Sequence, residues 1–317
     1  MSATSIVLLC PGQGAQAVGM AKAWCDASPL AKAVVDEADR IFGQGPDGRT
    51  LSDIAFHGPV EVLSRTDISQ PALFTAAVAA HRALGDTLGG LKVRAVAGLS
   101  LGEYTALHLA GAFDFETGLR LVMRRGALMQ QAAESSKGGM VALIGADEAQ
   151  AMQVCELATR EGGVLIPANF NAPGQIVVSG SIEACDRAVT AAGEVGVRAT
   201  KLQVAGAFHS PLMAPAAEKL GEALSAVAIA PLSAEVWSNV TARPHEAGNA
   251  QLLRNRLVEQ LVSPVRWAQS CANLLEAMTA DGTRATAAFH ELAPGSTLKG
   301  LMRRIDKTCE VIPHDAP

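Results

Sequence analysis

Val93-Arg94-Ala95-Val96-Ala97-Gly98-Leu99-Ser100-Leu101-Gly102-Glu103-Tyr104 runs from an apolar segment through a serine set between glycines into a second apolar segment. Residues 93–98 form a short apolar run bounded by turn signals, the pattern of a buried strand. Residues 101–109 then read as a helix. Between them lies Gly98-x-Ser100-x-Gly102, the G-x-S-x-G of a nucleophile elbow, in which a serine rides a tight strand-to-helix turn. Small residues must flank the serine because the turn is tight. The helix behind it brings backbone N–H groups and a positive dipole end to the place where an oxyanion develops. A plain strand-to-helix turn accounts for the same letters, so the flanking strand and helix carry the functional reading of Ser100.

Outward from the elbow, the chain keeps alternating. Residues 5–10 read as a strand that ends in the loop Pro11-Gly12-Gln13-Gly14, and residues 72–84 and 116–132 read as helices. Strands alternating with helices point to an α/β protein with a mostly parallel sheet. The middle differs. Residues 140–144, 166–169, 176–179 and 198–202 are strand-like, and residues 148–160 and 182–192 are helical. That βαββαβ order within so short a span is the ferredoxin-like pattern. The expected organisation is a larger α/β body, residues 1–137 and 204–317, interrupted by a ferredoxin-like subdomain at 138–203.

Composition bounds the rest. A chain of 317 residues that is 49% hydrophobic can bury a large core, which excludes a disordered protein. With 26 basic and 31 acidic residues the net charge is −5, which is not the footprint of a nucleic-acid binder. Six cysteines at 10, 25, 155, 185, 271 and 309 form no CxxC pair and no metal-ligand spacing. They read as reduced thiols of a cytoplasmic protein, and no metal is expected. The apolar run at 6–10 is too short for a signal peptide, and no later stretch reaches a membrane span.

A serine nucleophile needs a base, and the histidines are His57, His81, His108, His209, His245, His290 and His314. Taken by themselves, the residues single out none of them. Pro11-Gly12-Gln13-Gly14 is either a tight turn or a backbone donor to an oxyanion. Arg124 and Arg125 are adjacent on an apolar helix, so they point about 100° apart and one of them can face inward. A buried guanidinium needs a partner, and its planar fork matches a carboxylate.

Together these motifs resemble the malonyl-CoA:acyl-carrier-protein transacylases of fatty-acid synthesis and the acyltransferase domains of polyketide synthases. The likeness spans nearly the whole chain. It includes Pro11–Gly14, Ser69-Gln70-Pro71, Gly98–Tyr104, Arg125-Gly126 with Met129-Gln130, Asn169–Gln175, Gly206–Met213, and Gln260 before Ser263-Pro264-Val265. The resemblance implies an α/β-hydrolase-like body with a ferredoxin-like insert, in agreement with the element order. It implies that Ser100 is the acylated nucleophile, His209 its base, and the backbone carbonyl of Gln260 the acceptor of the other imidazole N–H. The backbone N–H groups of Gln13 and Leu101 would form the oxyanion hole. Arg125 would pair with the free carboxylate of malonate, and Gln70, Asn171, Phe208 and Met129 would line the pocket. Malonyl-CoA is then a substrate, no cofactor is needed, acyl carrier protein is the partner, and a monomer is expected.

One position departs from the family pattern: Leu99 stands where a histidine usually precedes the nucleophile. The same variant resembles some stand-alone acyl hydrolases, so a thioester hydrolase or a trans-acting polyketide acyltransferase is the alternative. A generic esterase pairing Ser100 with His290 would want an HGGG-like loop, which the chain lacks. A non-catalytic carrier-binding scaffold would not keep Ser100, His209 and Arg125 together. Acyl carrier proteins are acidic, so a local basic patch must attract them. Lys299, Arg303, Arg304 and Lys307 are spaced for one helix face, with a solvated helix end as the plainer reading.

Overall fold

The computed structural model describes residues 4–88 and 91–317. Nine strands appear in the order β1 (Ser5–Cys10), β2 (Lys92–Gly98), β3 (Gly138–Ile144), β4 (Leu165–Ala172), β5 (Gln175–Ser181), β6 (Arg198–Lys201), β7 (Glu235–Trp237), β8 (Ala287–Leu292) and β9 (Val311–His314). The larger sheet runs β7-β2-β1-β8-β9, and all of its pairings are parallel. Strand β1 lies at its centre with all six residues buried. A parallel sheet covered on both faces explains why 5–10 is a continuous apolar run rather than an alternating one. Successive side chains still split between two cores: Ile6, Leu8 and Cys10 join one, Val7 and Leu9 the other.

The smaller sheet runs β4-β5-β3-β6 and is antiparallel throughout. With helices Glu148–Thr159 and Ile182–Val195 it forms a βαββαβ unit with its own core around Val141, Val154, Val178 and Ala188. In the unit's own numbering the strand order is 4-1-3-2. Two backbone hydrogen bonds join this unit to Val265: Phe170 N to Val265 O at 2.9 Å and Val265 N to Ala168 O at 2.8 Å.

Several boundaries differ from the expected ones. The helix expected at 72–84 runs from Thr66 to Ala83 and carries Pro71 inside it. Proline reads as a helix start, yet Thr66 and Ile68–Pro71 are buried here, with Asp67 half-buried, and packing extends the helix past its local signal. Strands β7, β8 and β9 lie in the stretch from residue 204 onward, which the sequence assigns to the larger body without individual elements. Helix Thr297–Ile305 ends before Lys307, so Lys307 does not share a helix face with Arg303 and Arg304. Among the described residues no helix is long and apolar enough to cross a membrane.

Candidate active site

Strand β2 ends at Gly98 and helix Gly102–Leu109 starts four residues later, leaving Ser100 at the apex. The backbone there is strained: φ is 52° at Ser100 and 57° at His209. A non-glycine residue in that region costs on the order of 1–3 kcal/mol and persists where the surroundings impose it. The flanking glycines are steric requirements. A Cβ on Gly98 would lie 1.9 Å from the Gly102 carbonyl carbon, and one on Gly102 would lie 2.1 Å from the Cys10 oxygen. The turn is clamped by Asn239, whose Oδ1 accepts from Ser100 N at 2.6 Å and whose Nδ2 donates to Gly98 O at 2.7 Å.

His209 arrives from the segment just after the small sheet. Its Nε2 is 2.8 Å from Ser100 Oγ, and its Nδ1 is 2.8 Å from the backbone oxygen of Gln260. That carbonyl only accepts, so Nδ1 carries the proton and Nε2 presents a lone pair to the serine hydroxyl. Burial pulls the imidazole pKa from 6.5 down to about 4, the nearby Arg125 charge pulls the same way, and the Gln260 carbonyl opposes them. The ring is therefore neutral at neutral pH. Backbone N–H groups of Gln13 and Leu101 donate to no acceptor among the described residues, so both remain free for a developing oxyanion.

Arg124 is exposed and Arg125 is only 1% exposed, so one of the adjacent pair faces inward as expected. Arg125 Nη2 donates to Ser100 Oγ at 3.0 Å and to Gln260 Oε1 at 2.8 Å, while Nη1 donates to Gln70 Oε1 at 2.8 Å. Its guanidinium lies 5.3 Å from the centre of the Tyr104 ring. Among the described residues no carboxylate pairs with it directly, and its Nε is unpartnered. Burial lowers its pKa from the ordinary value, and Tyr104 and Glu103 oppose the fall. A buried cation without a direct counter-ion is costly, which makes this a site poised for an anion.

A cleft of about 380 Å³ reaches Ser100 and His209 between the two sheets, and Phe208, Met129, Asn171 and Gln13 line it. No Asp, Glu, Lys or Arg is on its walls, which carry mainly amide and apolar side chains. Asn171 Oδ1 is buried without a partner. Gln70 corrects its expectation. It is fully buried behind Arg125 and does not line the cleft; its Oε1 orients the guanidinium, and its Nε2 lies 3.3 Å from Met129 Sδ. His290 is also removed from the reaction: its ring stacks on His314 with Nδ1 2.8 Å from the partner's Nε2. Leu99 is half-buried against the second core and lines the cleft beside the serine.

Three residues in the site were not singled out by sequence reasoning. Glu103, Asn239 and His245 are all buried, and Glu103 Oε1 lies 2.7 Å from His245 Nε2. Glu103 stood in the quoted motif, but an acid in a first helical turn reads as a favourable dipole contact. His245 comes from a turn-rich segment 142 positions away, and only the fold brings the two together.

The chain is similar to known proteins over nearly its whole length. A Bacillus subtilis malonyl CoA-acyl carrier protein transacylase is 38% identical over 315 residues, covering 99% of this chain and 94% of the relative. The solved malonyl CoA-acyl carrier protein transacylase of Coxiella burnetii superposes with a TM-score of 0.90 at 36% identity, over 99% of this chain and 95% of that one. A third similar structure is a malonyl-transacylase in complex with its type II polyketide synthase acyl-carrier protein, with a TM-score of 0.89 and 35% identity over 99% and 96% of the two chains. Residues 7–315 match the acyl transferase domain, and the chain belongs to that family.

Proposed function

We propose that this acyltransferase moves a malonyl group from malonyl-CoA to the phosphopantetheine thiol of acyl carrier protein through a malonyl-Ser100 intermediate, in fatty-acid synthesis. The observation that carries the reading is the buried Arg125 guanidinium, which lacks a carboxylate partner among the described residues and lies 3.0 Å from Ser100 Oγ. A bidentate pair with the free carboxylate of the acyl group supplies the missing counter-ion. An acetyl group cannot do so and leaves the charge unpaired.

The steps follow from the geometry. Ser100 Oγ attacks the thioester carbonyl carbon, and its proton passes to His209 Nε2 as the C–O bond forms. The N–H groups of Gln13 and Leu101 hold the tetrahedral oxyanion. When the C–S bond breaks, His209 returns the proton to the departing thiolate and coenzyme A leaves as the free thiol. The carrier's thiol then runs the same steps in reverse. A thioester is electrophilic enough for a serine–histidine pair whose imidazole is oriented by a carbonyl, so no triad carboxylate is needed. The cleft's amide side chains, including the unpartnered Asn171 Oδ1, suit the amides of a pantetheine arm. Each step uses protein groups alone, with the coenzyme A thioester as substrate.

The acyl-carrier complex of the similar malonyl-transacylase supports acyl carrier protein as the partner here. Six unpaired cysteines support a cytoplasmic placement, where thiols stay reduced. We take the working unit to be a monomer with a catalytic body at 1–137 and 204–317 and a subdomain at 138–203. The test is intact-protein mass after mixing with malonyl-CoA and then with holo carrier. Gain of one malonyl group, stable in water and lost to the carrier, is expected. An adduct that water clears before any thiol is added favours the hydrolase instead.

A further inference from the structure

A single residue, Asn239 or Gln260, separates the Glu103 side chain from Ser100, His209 and Arg125. Its side chain is 1% exposed, and Oε1 engages His245 Nε2 at 2.7 Å. Its Oε2 accepts from the backbone N–H of Asn239 at 3.1 Å and from Gln260 Nε2 at 2.6 Å. Asn239 in turn clamps the elbow on both sides of Leu99. The Gln260 amide has the most demanding place. Its Nε2 also donates to Ser100 O at 3.1 Å, its Oε1 accepts from Arg125, and its backbone oxygen holds His209.

We propose that Glu103 is a positioning residue that sets acyl-group selectivity by fixing the side-chain amide of Gln260 in the one orientation that turns its oxygen toward Arg125. The two ends of a glutamine amide are nearly equal in shape and opposite in hydrogen bonding. A carboxylate can only accept, so it draws the NH2 end. Arg125 can only donate, so it needs the oxygen end. With Glu103 present both demands agree, and the guanidinium is held on two amide oxygens, Gln70 Oε1 and Gln260 Oε1. Without an acceptor at the Glu103 Oε2 position, the NH2 end keeps only Ser100 O at 3.1 Å, the longer of its two hydrogen bonds, and the amide is freer to turn. A flipped amide sets NH2 against a guanidinium, donor facing donor. Arg125 then loses one of its two amide anchors and the fixed direction that a bidentate carboxylate requires.

Charge alone gives the opposite expectation. Glu103 is the closest acid in this network to the incoming carboxylate, and removing its charge favours a bound anion by Coulomb attraction. Variants that share the loss of charge but differ in the acceptor separate the two effects.

This inference rests on the malonyl-transfer reading, and the unsubstituted enzyme's own malonyl adduct tests that reading separately. The experiment measures kcat/KM for malonyl-CoA and acetyl-CoA with the full chain, its fold verified by melting temperature and near-ultraviolet circular dichroism. Glu103→Met removes charge and acceptor. Its malonyl-to-acetyl ratio is expected to fall at least tenfold, with acetyl transfer reduced far less than malonyl transfer. Glu103→Gln removes the charge and turns the oxygen facing His245 into a donor, which the imidazole can accept in its other tautomer; it can keep an amide oxygen at the Oε2 position, so it is expected to restore most of the ratio. Glu103→Asp keeps the charge but withdraws the acceptor by one methylene. It should lower the ratio as Met does, and it serves where the Met variant does not fold. A folded Met or Asp variant that retains the ratio within about threefold of the unsubstituted enzyme overturns the proposal. So does a Gln variant as unselective as Met, because charge and not the acceptor would then be the cause.

Discussion

In the proposed reaction Arg125 contributes selectivity and His209 proton transfer, and both reach the same atom, Ser100 Oγ, at 3.0 and 2.8 Å. Arg125→Ala is expected to depress malonyl transfer by at least two orders of magnitude more than acetyl transfer, because only the carboxylated substrate loses a bidentate pair. Equal losses on the two thioesters, measured as kcat/KM, would make the residue structural. For His209 the sign of the pH effect follows from its depressed pKa. The base works in its neutral form, so acylation by malonyl-CoA should persist well below pH 6.5 and fail only as pH approaches about 4. Folding follows the same direction. The unfolded histidine binds a proton first as pH falls, so this group's share of stability is present above 6.5 and is lost on descent toward 4. His209→Ala should slow acylation by roughly two to four orders of magnitude. Arg125→Gln removes a charge that pulls the imidazole down, and its acid limb should move up in pH. An acid limb already near 6.5 in the unsubstituted enzyme would contradict this account of the base.

At the scale of elements, the elbow is a backbone crossing in which three segments meet: the end of β1, the end of β2 and the start of helix Gly102–Leu109. Gly98→Ala places a Cβ 1.9 Å from backbone that cannot swing aside. It should cost on the order of 2 kcal/mol or more of stability and remove the covalent adduct. A variant with an unchanged melting temperature and full adduct would show that the turn has room the geometry denies. This element was legible because its signals are local: an apolar strand, two glycines and a helix within twelve residues. The small sheet was legible because its four strands and two helices follow one another between residues 138 and 201, each with its own short pattern. Strand β7 was not. It is three residues long and gains its place only by pairing with β2. Residues 66–71 were misread because Pro71 looks like a helix start, whereas burial against the helix at 115–135 extends the helix before it. The hundred-degree rule alone let one of Arg124 and Arg125 face inward, and the family resemblance chose Arg125. Gln70 needed the structure, because a buried glutamine behind an arginine and one facing a ligand have the same sequence.

At the scale of the molecule, 26 basic against 31 acidic residues gives a net −5, so bulk electrostatics oppose an acidic partner. Lys299, Arg303 and Arg304 are exposed on the helix whose Thr297 and Leu301 reach the cleft, and none of the three forms an ion pair among the described residues. Lys299 and Arg303 are four apart on that helix and share a face; Lys307 lies past its end. Lys299→Glu with Arg303→Glu is expected to raise KM for carrier protein, most at low salt, and to leave acylation by malonyl-CoA unchanged. Carrier kinetics equal to the unsubstituted enzyme at low salt would make this face a solvated helix end. The buried Glu103–His245 pair belongs to the same scale. It joins a helix at one end of the chain's first half to a loop deep in the second, and no local pattern could have announced it.

The central claim is that Ser100 carries a malonyl group between two thiols. The direct measurement is the intact mass of the enzyme quenched after malonyl-CoA, with the modified residue located by peptide fragmentation, followed by a chase with holo carrier protein. One malonyl group on Ser100, its transfer to the carrier thiol, and no adduct on a folded Ser100→Ala variant are expected. A malonyl group on another residue, or an equal adduct on the alanine variant, would contradict the claim.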